Sequence, residues 1–360
     1  MSKRKFNAQQ GSFFNNINYN MMKRICFSIG LMTMLVSGMS VNAQSNYKLA
    51  NKFHVEGAGG WDYISVDEAN SRIFVSHATV AQAIDTKTGK LAGTIPDTQG
   101  IHGIAIAADL NKGFTSNGRD SSVTVFNLNT LAVIEKVKVT GKNPDAILYD
   151  PFSQKLFTFN GGSANTTVID AKSNKVIATI ALDGKPEFSV TDGKGNVYVN
   201  IEDKNKISVI NVNTLKVSQS WPIAPGDEPS GLALDNKNHR LFSVCGNKMM
   251  IVTNAETGRI VATLLIGDRC DGVAFDPTYN RAYSSNGEGT ITVVQEVDAN
   301  TFKILETIQT QPGARTIAVD KTTHHLYLPT AEYEAAPAGV KSRPAIKPNS
   351  FMVLDIETLK

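Results

Sequence analysis

One short pattern, Asp or Asn, two residues, then Thr or Ser, recurs seven times along this chain. It begins at Asp85, Asn127, Asp170, Asn211, Asn254, Asp298 and Asp355 and closes on Thr88, Thr130, Ser173, Thr214, Thr257, Thr301 and Thr358. The first six copies lie 42, 43, 41, 43 and 44 residues apart, the period of a four-stranded propeller blade, roughly 40 to 45 residues. An Asp or Asn side-chain oxygen can accept the N–H two residues on, closing an Asx-turn that a Thr hydroxyl supports. Each copy therefore reads as a hairpin turn. Apolar, β-branched runs such as SSVTVF, NTTVID and KISVIN precede the turns, and runs such as GKLAGTI, KVIATI and GRIVATL follow them. These are strands c and d of successive blades, and the fold class is all-β: a seven-bladed β-propeller.

Aligning the segments upstream supplies the other two strands. The innermost strand a reads YISVD, GIAIA, AILYD, FSVTD, GLALD, GVAFD and TIAVD, small and apolar because seven blades converge on one axis. Strand b carries one aromatic per blade, at Phe74, Phe114, Phe157, Tyr198, Phe242, Tyr283 and Tyr327, a phase that predicts packing between neighbouring blades. The last interval is irregular, 57 residues from Asp298 to Asp355. Its surplus is a Pro-rich insert, residues 331–350, predicted as a long loop between strands b and c because Pro337, Pro344 and Pro348 exclude regular structure. The chain then ends where strand d should begin. Residues 47–55, YKLANKFHV, match the missing strand, so the N-terminal strand is expected to complete the last blade and close the ring.

Residues 1–43 read as a leader and residues 44–360 as a single propeller domain. Within the leader, 22–43 have the pattern of a secretory signal peptide: Lys23 and Arg24, an apolar stretch from Ile25 to Val36, and a small-residue end at VNA. The apolar stretch is short of the roughly 20 residues of a transmembrane helix. Residues 1–20 look like an upstream extension, with Met21 or Met22 as the start. Removing Lys3, Arg4, Lys5, Lys23 and Arg24 reduces 36 basic residues to 31, against 33 acidic ones. A slightly acidic mature chain of this kind lacks the basic balance of a nucleic-acid binder. The expected location is the periplasm or the exterior, and a closed ring is expected to act as a monomer.

The loops joining d to a and b to c should open on one face. There the residue at the start of each strand a is Asp62, His102, Asp145, Glu187, Ser230, Asp271 and Arg315, at intervals of 40, 43, 42, 43, 41 and 44. Seven-fold geometry gathers them around the channel mouth. Four carboxylates, an imidazole and a guanidinium so placed suit a water-lined mouth, a site for a polar ligand or divalent cation, or acid–base chemistry. Trp61 beside them either shelves a planar ligand or fills the gap at the closure. Strands b end on His77, Asn117, Asn160, Asn200, Cys245, Asn286 and Thr330, where Asn is explained by local turn bonding. His77 and His102 are spaced as neighbours: a two-His metal site with Asp62 or Asp145, or two unligated imidazoles. Cys245 and Cys270 hold the same relation and read as a disulfide or two adjacent thiols. The insert adds Glu332, Tyr333, Glu334, Lys341 and Arg343 over the same face.

The strings VYVN, ISVINVNTLKV and TTVIDAKSNKVIATI resemble the YVTN-type, YncE-like β-propeller repeats of exported bacterial proteins. The resemblance covers essentially all of the mature chain and implies seven blades, but no shared catalytic motif. The leading reading is a non-enzymatic binding or scaffold protein, holding a small ligand or protein partner at the mouth and insert. A lactonase-type or metal-assisted hydrolase at the same mouth is the alternative, with His102 and Arg315 beside the carboxylates. Single-stranded DNA binding, suggested for YncE-like relatives, is disfavoured by the charge. With no C-x-x-C-H haem sequence, any redox cofactor would belong to a partner.

Overall fold

In the computed structural model of the protein, residues 45–334 and 345–359 are described. The chain divides into two units, Met1–Gln44 and Ser45–Lys360. The expected leader, with its signal at 22–43, lies outside the described residues, as do 335–344 of the insert with Lys341 and Arg343.

Seven four-stranded antiparallel sheets account for the second unit. Six take their strands consecutively from residues 61–95, 101–138, 144–181, 186–222, 229–265 and 270–309. The seventh is assembled from both ends of the chain. Tyr47–His54 pairs with Met352–Thr358, which pairs with Leu326–Thr330, which pairs in turn with the short strand Ala318–Val319. The N-terminal strand is the fourth strand of the last blade, as read from its pattern.

The turn motifs behave as expected in the regular blades. Asp85 Oδ1 accepts the backbone N–H of Lys87 at 3.1 Å and of Thr88 at 2.8 Å, and Asn127, Asp170, Asn211 and Asn254 repeat the bond to the Thr or Ser N–H at 2.7 to 2.9 Å. The seventh copy is different. Asp355 is buried inside strand Met352–Thr358, opposite Tyr327, a place that Ala83 holds opposite Phe74 in blade one. It therefore falls two residues short of the turn phase. The fourth strand of this blade is Tyr47–His54 instead, so the chain need not reverse at Asp355. The strand runs on to pair Thr358 with Tyr47, while Asp355 accepts Asn51 Nδ2 at 2.7 Å.

All seven strand-b aromatics are buried. Phe74 meets Phe126 of the next blade at 5.5 Å between ring centroids, and Phe242 stacks on Phe275 of the next blade at 5.3 Å. Tyr283 of blade six meets Tyr47 of blade seven edge-on. Hydrophobic clusters accordingly draw on adjacent blades in pairs. The insert is more ordered at its ends than a plain loop: Tyr333 bridges to Ile346, Glu334 N–H donates to Ala345 O and Lys347 N–H to Glu332 O. Because Phe242 also contacts Phe302 edge-on at 5.9 Å, its truncation opens the seam between blades five and six. Phe242→Ala should lower unfolding free energy by about 3–5 kcal/mol, read from urea unfolding followed by fluorescence.

Candidate functional site

Six of the seven mouth residues owe their position to a break in the sheet, while Arg315 lies ahead of the short strand Ala318–Val319. Between strands a and b the register jumps from Trp61 to Ile64, Ile101 to Ile104, Pro144 to Ile147, Pro186 to Ser189, Pro229 to Leu232 and Cys270 to Gly272. Asp62, His102, Asp145, Glu187, Ser230 and Asp271 all sit in these gaps. A bulge takes a residue out of the ladder and re-aims its side chain. The carbonyls so released accept side chains of the preceding blade: Thr316 Oγ1 donates to Asp62 O at 2.5 Å, Ser285 Oγ to Arg315 O at 2.6 Å, Asn200 Nδ2 to Ser230 O at 3.0 Å, and Ser116 Oγ to Asp145 O. Glycine permits this crowding. A Cβ on Gly231 would lie 2.9 Å from the Asp271 carbonyl oxygen. The b-to-c loops share the face, as Gly118 N–H donates to Gly100 O and Gly161 N–H to Asn143 O.

Five of the seven mouth side chains form one chain of contacts. His102 Nδ1 lies 3.7 Å from Asp145 Oδ1 and donates to Asp62 Oδ2 at 2.7 Å. Arg315 Nη2 donates to Asp62 Oδ1 at 3.0 Å and Arg315 Nε to Asp271 Oδ2 at 2.7 Å. Glu187 lies apart, 2.7 Å from Lys185 Nζ, which also holds Glu202. Ser230 Oγ turns to the backbone, donating to Cys270 O at 3.4 Å. Burial raises Asp145 to about 6, with His102 opposing and Asp62 adding to the rise. Burial and then Asp145 raise Glu187 to about 8, against the opposing hydrogen bond and charge of Lys185. Burial also raises Asp271, against the pull of Arg315. For His102 burial acts downward, but the Asp62 hydrogen bond and the charges of Asp145, Asp62 and Glu187 outweigh it and its pKa is raised.

Directly below, two aromatic rings narrow the channel. Tyr63 of blade one and Phe188 of blade four meet across the axis with centroids 5.4 Å apart. The mouth is thus a floored cup. Burial, and then the charges of Asp145, Glu187 and Asp62, push the Tyr63 hydroxyl well up. Tyr63, Phe188 and Lys185 were not anticipated, although the signal was present. The residue after each mouth position reads Tyr63, Gly103, Ala146, Phe188, Gly231, Gly272 and Thr316: two aromatics among small residues, on blades that seven-fold geometry sets opposite.

Several open choices resolve toward packing. Trp61 is 8% exposed and contacts Phe351 and Tyr333, filling the closure gap, while its carbonyl faces Arg315. His77 does not join His102. Its Nδ1 lies 2.9 Å from Gln82 Oε1, its ring stacks on Phe351 at 4.1 Å, and burial lowers its pKa. The donors that do converge are Asp62, His102 and Asp145, with ligand atoms within 4.8 Å of one another. Cys245 and Cys270 are free thiols rather than a disulfide, since Cys270 Sγ is directed at Cys245 O, 2.9 Å away. Burial pushes both to about 12, leaving little thiolate. Asn117, Asn160 and Asn286 staple strand b to strand c through Ser, Thr and Asn side chains rather than turning the backbone.

Seven closed blades around a floored polar cup define the class: a seven-bladed β-propeller. No family model matches the chain. Two curated relatives, each called "Uncharacterized protein YncE", from Salmonella typhimurium and Salmonella typhi, are 24% and 23% identical over 259 residues, 68% of this chain. The chain spans 61% of their length. The chain is thus a seven-bladed β-propeller similar in sequence to the YncE proteins. Among solved structures, Kuenenia stuttgartiensis hydrazine synthase matches with TM-score 0.64 and 18% identity, covering 76% of this chain and 94% of that one. U3-55K and the RRP9 WD40 repeats each match with TM-score 0.71 and 10% identity, covering 85% and 86% of this chain and 98% of theirs. These likenesses concern the fold.

The raised acids give the cup a pH signature. Asp145 and Glu187 hold protons in the folded chain that the unfolded chain releases near its ordinary values, so stability falls as pH rises, up to about 6 for Asp145 and about 8 for Glu187. The stabilising proton on His102 is lost in the same direction, as pH climbs through its raised folded value. Glu187→Gln should therefore melt at least about 2 °C higher than wild type near pH 8.5, with the gap closing near pH 4.5. Calorimetry across that range checks it; an offset independent of pH contradicts the assignment.

Proposed function

We propose that this chain is an exported, monomeric binding propeller that holds a small polar ligand in the cup at its channel mouth. The carrying observation is the Tyr63–Phe188 floor under a preset network of donors and acceptors. A floored recess with fixed polar groups suits a ligand that both gives and accepts hydrogen bonds. The described ends of the insert stand beside it through Tyr333 and Arg315, offering a place for a protein partner. The signal-like leader supports export. A thermal-shift screen of sugars, amino acids, polyamines and nucleotides should yield a class that stabilises wild type and loses at least about tenfold in affinity in Asp145→Ala. If no class stabilises the protein, or Asp145→Ala leaves every hit unchanged, the cup is not a ligand site.

A divalent cation is a second reading, favoured by the convergence of Asp62, His102 and Asp145. One nitrogen and two carboxylate oxygens suit Zn²⁺ or Mn²⁺, and such an ion could activate water for a hydrolase. These residues would hold the ion only with His102 uncharged, so that one ring nitrogen has a free lone pair. Affinity should then increase as pH rises through the His102 pKa and be lost in His102→Ala. Calorimetric titration with Zn²⁺ and Mn²⁺ at about pH 6 and 8 decides this. Binding that ignores pH or survives His102→Ala removes the cation, and the hydrolase with it.

A further inference from the structure

Beside the cup, between blades six and seven, lies a second recess of about 600 Å³. Its walls are mainly apolar, with Pro312, Gly313 and Tyr333 on one side and Arg269 and Arg315 on the other. We propose that this cleft binds an organic carboxylate with an apolar or aromatic body. Its headgroup would lie on the two arginines and its body against Pro312 and Tyr333.

The charge balance separates this cleft from the cup. At the cup, His102, Arg315 and Lys185 are matched by carboxylates. Among the described residues, the cleft lining has Arg269, Arg315 and Lys347 against Glu332. Lys347 and Glu332 neutralise each other at 2.9 Å on the exposed rim. Arg315 commits Nε and Nη2 to Asp271 and Asp62, but Nη1 reaches only the Trp61 carbonyl at 3.5 Å. The guanidinium of Arg269 has no hydrogen bond or ion pair among the described residues. One uncommitted guanidinium and part of another therefore share one recess, and such forks match a carboxylate's two oxygens.

Two glycines shape the cleft for this use. A Cβ on Gly287 would lie 3.2 Å from the Cβ of Arg269 and 3.5 Å from that of Arg315, so its absence lets the two stems run close together. Gly313, at φ +92°, would bring a Cβ within 2.5 Å of the Tyr333 hydroxyl. Glycine thus keeps the aromatic wall near without filling the space. Behind Tyr333, at 6.3 Å, stands Trp61, whose buried Nε1 has no partner among the described residues. The volume falls in the range of small-molecule sites, and an apolar wall adds affinity in proportion to the area covered. The inference does not rest on the cup: neither His102 nor Asp145 lines the cleft.

Calorimetric titration of the full chain with 4-phenylbutyrate, 4-phenylbutanol and inorganic phosphate tests this. The carboxylate should bind at least about tenfold more tightly than the alcohol, which lacks the charge, and than phosphate, which lacks the body. Arg269→Ala, a change at an exposed loop position, should weaken 4-phenylbutyrate by about tenfold or more, with Lys216→Ala, an exposed change on blade four, leaving it unchanged. Gly313→Val should block the cleft, and if that variant does not fold, Arg269→Ala alone decides. Equal binding of alcohol and carboxylate, equal binding of phosphate, no binding at all, or indifference to Arg269→Ala overturns the proposal.

Discussion

The pairing of Tyr47–His54 with Met352–Thr358 is the contact on which the rest of this molecule depends. It joins residues as far apart as Asn51 and Asp355, whose side chains meet at 2.7 Å. Without it the strand Met352–Thr358 would present an open edge, and the row of blades would have no fixed curvature. With it, every strand a is held at one-seventh of a turn from its neighbours. Residues some forty positions apart in sequence then face a single axis. Asp62 can be shared by His102 of the next blade and Arg315 of the last only because the ring is shut.

How much of this was legible follows from what each feature depends on. The blade count and the closing strand rest on local patterns, the Asx-turn chemistry of Asp85 and its repeats and the alternation in residues 47–55, and local patterns are written in sequence. The mouth positions from Asp62 to Arg315 followed from phase. The seventh turn motif misled because Asp355 carries the right residue type two positions out of phase, and a buried partnership with Asn51 and His325 leaves no signature of its own. The fate of His77 and of the thiol pair turned on side-chain direction. Spacing makes such groups neighbours without saying whether an imidazole faces a channel or Phe351, or whether Cys270 points at a sulfur or at a carbonyl. Lys185 escaped notice since it lies in a loop two residues ahead of Glu187, off the repeat phase, and the Tyr63–Phe188 floor needed two distant blades to be compared at once.

The two recesses near the blade-seven seam differ in electrical character although they share Arg315. In the cup, opposite charges are interleaved closely enough to satisfy one another, and the remaining strain appears as carboxyls that keep their protons at raised pH. In the cleft, positive charge is left over. Arg315 stands on the boundary: it gives Nε and Nη2 to Asp271 and Asp62, its remaining amine has only the Trp61 carbonyl at 3.5 Å, and it also lines the second recess. A ligand drawing on that amine would be felt at Asp62, and through it at His102, by direct contact.

The bulges at the heads of the strands have a further consequence. Because the backbone at Asp62, Asp145, Ser230 and Arg315 is anchored through its carbonyls by the preceding blade, the side chains there are not what holds the strands in place. Those positions can be rewritten, in descent or by design, while the frame around them stays put. Four such positions on one rim make a short address on a constant page, open to rewriting without a new fold.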